Sequence, residues 1–130
     1  MYKAAILGTG IIARKMAYTL NEMEGVCLYA VASRTLDKAQ DFAKEFGAEK
    51  AYGSYEEMAA DQEIDLVYIA TPHSLHAENA LMCLEHGRNV LVEKPFSLTF
   101  SLLFKTQYLL CQIAIRRSCF FLSASDQCRN

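Results

Sequence analysis

The chain has only two prolines and six glycines in 130 residues, and neither residue occurs after Pro95. A Pro/Gly-rich linker and low-complexity segments are excluded. Basic excess is absent too: the formal net charge is −2, which gives no electrostatic footprint for nucleic acid. No uninterrupted apolar run reaches the roughly 20 residues of a membrane-spanning helix, because the most apolar stretch, residues 100–122, is broken by Lys105, Arg116 and Arg117. The opening apolar run meets Gly8 too early for a secretory signal. The five cysteines (27, 83, 111, 119 and 128) form no C-x-x-C pair and no metal-ligand spacing. Their odd number reads as reduced thiols of a cytosolic protein. What is present is apolar content, 52% of the residues, too much for a chain disordered throughout. The length suits one domain, or part of a larger protein.

The averages hide a seam. Residues 1–99 carry nine Lys and Arg against fourteen Asp and Glu, whereas residues 100–130 carry four basic residues and one acid. Three of the five cysteines and four of the seven phenylalanines fall in that tail. The two stretches are expected to be different kinds of sequence: a folded unit over 1–99, and a tail over 100–130 that is helical or disordered.

Within residues 1–99, short apolar runs alternate with helical patterns. Residues 4–7 end at a glycine and read as a buried strand. Ile12, Met16 and Leu20 recur at helical spacing to about Asn21. Residues 26–32 form a second strand, and Ser33 or Thr35 caps a helix over 36–46 that Gly47 ends. Residues 51–52 give a short third strand. Ser54 caps a brief helix, with Glu57 completing a capping box. A fourth strand lies within 64–70. Ser74 caps a helix running to about His86, with Leu75, Ala77, Ala80, Leu81 and Leu84 inward, and residues 89–92 form a fifth strand. Strands apolar throughout and alternating with helices require a parallel sheet covered on both faces. Right-handed crossovers make this a doubly wound α/β domain, a Rossmann fold.

Gly8-Thr9-Gly10-Ile11-Ile12-Ala13 follows the first strand and opens the first helix. In that setting the pattern fits a dinucleotide turn. The first glycine permits the tight turn, the second lets a pyrophosphate approach the backbone, and the small third residue allows close helix–strand packing. The helix start offers free N–H groups to the phosphates. The bland alternative is an ordinary strand–helix turn. At the end of the second strand, where an NAD site usually places a carboxylate, the chain reads Ala32-Ser33-Arg34, with Lys38 one turn later and Asp37 the nearest acid. A hydroxyl and a fork of N–H donors suit a 2′-phosphate. This favours NADP(H), with NAD accepted if Arg34 merely stacks on adenine or lies in solvent.

Ligands of doubly wound sheets lie beyond the carboxyl ends of the strands. There the fourth strand leads into Thr71-Pro72-His73-Ser74-Leu75-His76, and the fifth into Glu93-Lys94-Pro95. Pro95 favours an extended Lys94, and a lysine beside bound substrate can serve as acid, base or anchor. The alternatives are a surface ion pair between Lys94 and Glu93, a helix cap at His73 and a solvated position for His76. No third ligand accompanies the two histidines, so no metal site is expected.

Taken in order, the glycine turn, Ser33-Arg34, Tyr52-Gly53-Ser54-Tyr55, Ala70-Thr71-Pro72-His73 with His76, and Glu93-Lys94-Pro95 resemble the N-terminal domain of the glucose–fructose oxidoreductase and inositol dehydrogenase (Gfo/Idh/MocA) family. The likeness extends to its NADP-linked dihydrodiol and sugar dehydrogenases. The resemblance implies a nicotinamide-dependent oxidoreductase acting on a sugar, polyol or related hydroxyl compound. It places the pyrophosphate at Gly8, Gly10, Ile11 and Ile12, with Thr9 of the same turn also on the cofactor, and the adenosine ribose at Ser33 and Arg34. It places the nicotinamide near Thr71, Pro72, His73, His76 and Glu93. Lys94 becomes the catalytic residue, contacting substrate and assisting proton transfer. The family continues into a substrate domain and, directly after residue 99, an acidic helix. Residues 100–130 resemble neither, and a shifted reading frame is the expected cause. The chain alone is then expected to turn over weakly or not at all, as a stand-alone NADP-binding module or an inactive product. A genuine helix over part of 101–115 is the alternative for the tail.

Overall fold

A computed structural model describes residues 1–93 and 120–122. Six strands, β1 (Tyr2–Leu7), β2 (Val26–Ala32), β3 (Lys50–Tyr52), β4 (Leu66–Ile69), β5 (Asn89–Glu93) and β6 (Phe120–Leu122), form one parallel sheet in the order β3-β2-β1-β4-β5-β6. Four helices alternate with them: α1 (Ile11–Glu22), α2 (Leu36–Phe46), α3 (Tyr55–Ala59) and α4 (His76–Glu85). β1 lies between β2 and β4, so the connections leaving β1 and β4 diverge there. This is the switch point at which doubly wound sheets bind ligands.

Both faces of the sheet are packed. Ala4 and Ile6 face a layer containing Ala13, Ala17 and Leu20 of α1 and Phe42 and Phe46 of α2. Ala5 and Leu7 face the opposite layer, with Met58 of α3 and Ala80, Cys83 and Leu84 of α4. Burial of the Cys83 thiol pushes its pKa up to about 12.

Four local features differ from the sequence reading. The inward stripe of α1 is Ala13, Ala17 and Leu20, with Met16 only half-buried and Ile12 exposed. Small alanines let the helix lie close on the sheet, and Ile12 turns to the loop end instead. Thr35 and Ser54 stand at the starts of α2 and α3, but neither makes a side-chain capping bond. Ser74 does not cap α4: a 3-10 turn (His73–Leu75) precedes that helix and Leu75 occupies the capping position. The chain at Pro72 is still turning, and Leu75 N–H donates to Pro72 O at 2.9 Å. Finally, Phe120–Leu122 form a strand, paired parallel to the edge of β5, where the sequence reading had none. Pairing supplies partners for an otherwise open edge. The expected helix over part of 101–115 lies outside the described residues.

The pairing of β1 with β2 slips between Ala4 and Ala5, which oppose Leu28 and Ala30. Tyr29 is the extra residue, a β-bulge, and it shares the face of Ala30. The buried Tyr29 ring has Lys3 Nζ 4.8 Å and Lys50 Nζ 5.2 Å from its centroid. Lys50 also pairs with Asp61 at 3.1 Å, and the Tyr52 hydroxyl donates to the same carboxylate at 2.6 Å. Burial alone would raise the Asp61 pKa. The Tyr52 hydroxyl, the Glu63 N–H and Lys50 outweigh it and hold the carboxyl below its usual value. A carboxyl whose folded pKa is depressed stabilises above its unfolded pKa, and that stability is lost as pH falls through the folded value. Asp61→Asn is therefore expected to cost about 1–3 kcal/mol at neutral pH and nothing at the acid end. Thermal melting of both proteins across pH checks this. Parallel curves over the whole range would contradict it.

Candidate functional site

The loops at the carboxyl ends of β1, β2 and β4 open onto a cleft of about 710 Å³. Residues 8–12 form its floor, Ser33, Arg34, Thr35 and Lys38 one side, and Ala70, Thr71 and Pro72 the other, with Tyr55 on its wall.

The two glycines of the floor are there for different reasons. Gly8 has φ +110°, and a Cβ on it would stand 2.9 Å from the Ala70 carbonyl oxygen. Its own N–H donates to Ala32 O at 2.8 Å, while Ala70 N–H donates to Leu7 O at 2.9 Å. Gly8 is thus required by the protein's own packing. Gly10 has φ −80° and ψ −168°, extended backbone open to any residue. A Cβ there would meet nothing within 4 Å. Neither conformation nor packing demands glycine at position 10. What the missing side chain leaves is open cleft in front of α1, whose first N–H groups have no intrahelical acceptor. This is the cradle that a pyrophosphate fits.

The charged residues described as lining the cleft are all basic. Arg34 and Lys38 line it, and no carboxylate does among the described residues. Arg14, close in sequence to the floor, is committed elsewhere: it forms a two-pronged ion pair with Glu45 and lies over the Phe46 ring. Neither Arg34 nor Lys38 has an ion-pair partner among the described residues.

Behind the β4 side, Thr71 is held by a buried network. The Asn79 amide donates to Thr71 Oγ1 at 2.6 Å, and His76 Nε2 lies 2.7 Å from Thr71 O. His76 is 3% exposed. The solvated position considered for it is therefore incorrect: its ring packs under the cleft and fixes the backbone of the loop. Asn79→Ala, which leaves the buried Thr71 hydroxyl unpaired, is expected to cost about 1–3 kcal/mol and to lower the melting midpoint accordingly. An unchanged midpoint would show that the bond contributes nothing.

Of the residues singled out in the sequence, Gly8, Thr9, Gly10, Ile11, Ile12, Ser33, Arg34, Lys38, Thr71 and Pro72 all line this one cleft. His76 stands behind it, His73 begins the 3-10 turn that follows Pro72, and Glu93 ends β5. Lys94 lies outside the described residues. The sequence reading gave no site role to Thr35, Ala70, Tyr55 or Asn79. A polar side chain on the inward face of an apolar helix was the available signal for Asn79. For Tyr55 there was none beyond its place in the Tyr-Gly-Ser-Tyr segment.

Residues 2–116 match the family described as oxidoreductase family, NAD-binding Rossmann fold (GFO_IDH_MocA). The trans-1,2-dihydrobenzene-1,2-diol dehydrogenase of Xenopus laevis is 43% identical over 98 residues, 74% of this chain and 30% of that protein. The scyllo-inositol 2-dehydrogenase (NADP(+)) IolU of Bacillus subtilis is 40% identical over 97 residues, 75% of this chain and 30% of that protein. Among solved structures, scyllo-inositol dehydrogenase from Lactobacillus casei with bound NAD(H) and scyllo-inositol superposes with a TM-score of 0.84 at 25% identity, covering 95% of this chain and 36% of that one. The chain spans about 30% of the length of the curated relatives it matches. A parallel sheet with its cleft at the switch point, the glycine floor and these matches together show that the chain belongs to the Gfo/Idh/MocA oxidoreductase family and carries its NAD(P)-binding Rossmann domain.

Proposed function

We propose that the cleft binds NADP(H) in preference to NAD(H), and that it does so for hydride transfer to or from a sugar, polyol or related hydroxyl compound. The observation that carries the preference is the charge of the cleft: Arg34 and Lys38 line it, and no carboxylate does among the described residues. A ribose 2′-hydroxyl is normally held by an acid at the end of the second strand, whereas a 2′-phosphate needs cations. Ser33, Arg34 and Lys38 would hold that phosphate, Arg34 through the planar fork that matches phosphate oxygens. Gly8, Thr9, Gly10, Ile11 and Ile12 would hold the pyrophosphate. Thr71, Pro72, His73 and Glu93 would border the nicotinamide, with His76 bracing Thr71 from behind.

Bound nicotinamide supplies the hydride chemistry, and the protein's share is orientation and electrostatics. In this reading Lys94 is the catalytic residue, placed after β5 to contact the substrate hydroxyl and move its proton. The cofactor-binding unit is taken as residues 1–99, with residues 100–130 a separate kind of sequence that adds the edge strand Phe120–Leu122 to its sheet. A reducing, cytosolic setting belongs to this reading, because the five cysteines show no disulfide-framework spacing. Titration of wild type and Arg34→Ala with both cofactors tests the preference. Arg34→Ala is expected to weaken NADPH roughly 10- to 100-fold and NADH little. Equal NADPH affinity in the two proteins would remove the basis of the preference.

A further inference from the structure

We propose that Tyr55 is a specificity-determining residue of this cleft, its hydroxyl donating a hydrogen bond to the 2′-phosphate that Arg34 and Lys38 neutralise. The inference rests on the NADP(H) reading and adds to it a neutral donor from a different part of the chain.

The loop after β3 is locked to the loop after β2. Ser33 N–H donates to Tyr52 O at 3.1 Å. Gly53 lies against the first residue of α2, where an added Cβ would stand 3.0 Å from Leu36 Cβ and 3.2 Å from Leu36 N. With so little room the two loops cannot slide past one another, and α3 begins two residues after Gly53. Its first residue, Tyr55, is thereby brought into the cleft wall with Arg34, Thr35 and Lys38.

The state of the phenol suits a donor. The Tyr52 hydroxyl is spent on Asp61 at 2.6 Å, whereas among the described residues the Tyr55 hydroxyl has no acceptor. Burial raises the Tyr55 pKa, and the nearby Arg34 guanidinium only partly offsets this, so the O–H keeps its proton at neutral pH. A hydrogen bond to a charged acceptor is roughly twice as strong as one between neutral groups. The phenol therefore distinguishes a phosphomonoester from a ribose hydroxyl.

The probes are adenosine 2′,5′-bisphosphate and adenosine 5′-monophosphate, which differ only in the 2′-phosphate, titrated calorimetrically into the full chain. Tyr55→Phe keeps the ring and its packing. It is expected to weaken the bisphosphate about tenfold and to leave the monophosphate within about twofold. Equal weakening of both probes would assign Tyr55 to the adenine or to loop packing and overturn the inference, as would no change in either. Arg34→Ala in the same titrations separates the two levels of the argument. If it discriminates between the probes and Tyr55→Phe does not, only this inference falls. If Arg34→Ala does not discriminate, the NADP(H) reading falls and takes this inference with it.

Discussion

Gly10→Asp is expected to lower the affinity for NADPH more than about 100-fold without lowering the melting temperature. The backbone at position 10 is extended, and a Cβ there meets nothing within 4 Å. Aspartate is also among the best residues at a helix N-cap, where it exceeds glycine by a few tenths of a kcal/mol. The fold therefore accepts the substitution. The cofactor should not, because the new carboxylate occupies the open cleft and bonds the N–H groups of α1 that a pyrophosphate needs. Losing two such charge-assisted bonds, at about 1.5–3 kcal/mol each, gives the stated factor before any charge repulsion is added. NADPH fluorescence and thermal melting on the same protein check both halves. Retained binding would show that the floor of the cleft does not hold the phosphates.

Gly8→Ala is expected to do the reverse, damaging the fold first. The residue sits at φ +110°, and the added methyl would lie 2.9 Å from the Ala70 carbonyl oxygen. Backbone strain of about 1–3 kcal/mol combines with overpacking of similar size. A net loss of roughly 3 kcal/mol would lower the melting midpoint by about 10–20 °C. The bonds Gly8 N–H to Ala32 O and Ala70 N–H to Leu7 O leave the loop little freedom to relax. A midpoint within a few degrees of wild type would show that it relaxes anyway. The contrast between the two glycines is sharper than either result alone: one belongs to the protein's packing and the other to its ligand.

Much of this was legible in the sequence because the signals were local. The apolar runs bounded by turn residues give β2 and α2 their observed limits, and Gly47 ends α2 in the left-handed conformation expected of it. The site segments were legible because a doubly wound topology carries the ends of β1, β2 and β4 to one place. What escaped depends on contacts between segments distant in sequence. The bulge at Tyr29 lies in a strand apolar on both faces, so no alternation marks the slip. The inward face of α1 is set by how closely Ala13 and Ala17 let the helix approach, which reverses the apparent claim of Ile12. The capping roles of Thr35, Ser54 and Ser74 fail because a plausible local pattern was not the bond made. Tyr55 reaches the cleft only through the Ser33–Tyr52 hydrogen bond and the fit of Gly53 against Leu36, neither of which sequence spacing reports.

The most direct measurement is the pair of dissociation constants for NADPH and NADH on the wild-type chain, obtained by fluorescence titration at one ionic strength. Saturable binding of NADPH, at least about tenfold tighter than NADH, is the predicted result. NADH binding as tightly as NADPH, or no saturable binding of either, would contradict a cleft built for a 2′-phosphorylated dinucleotide.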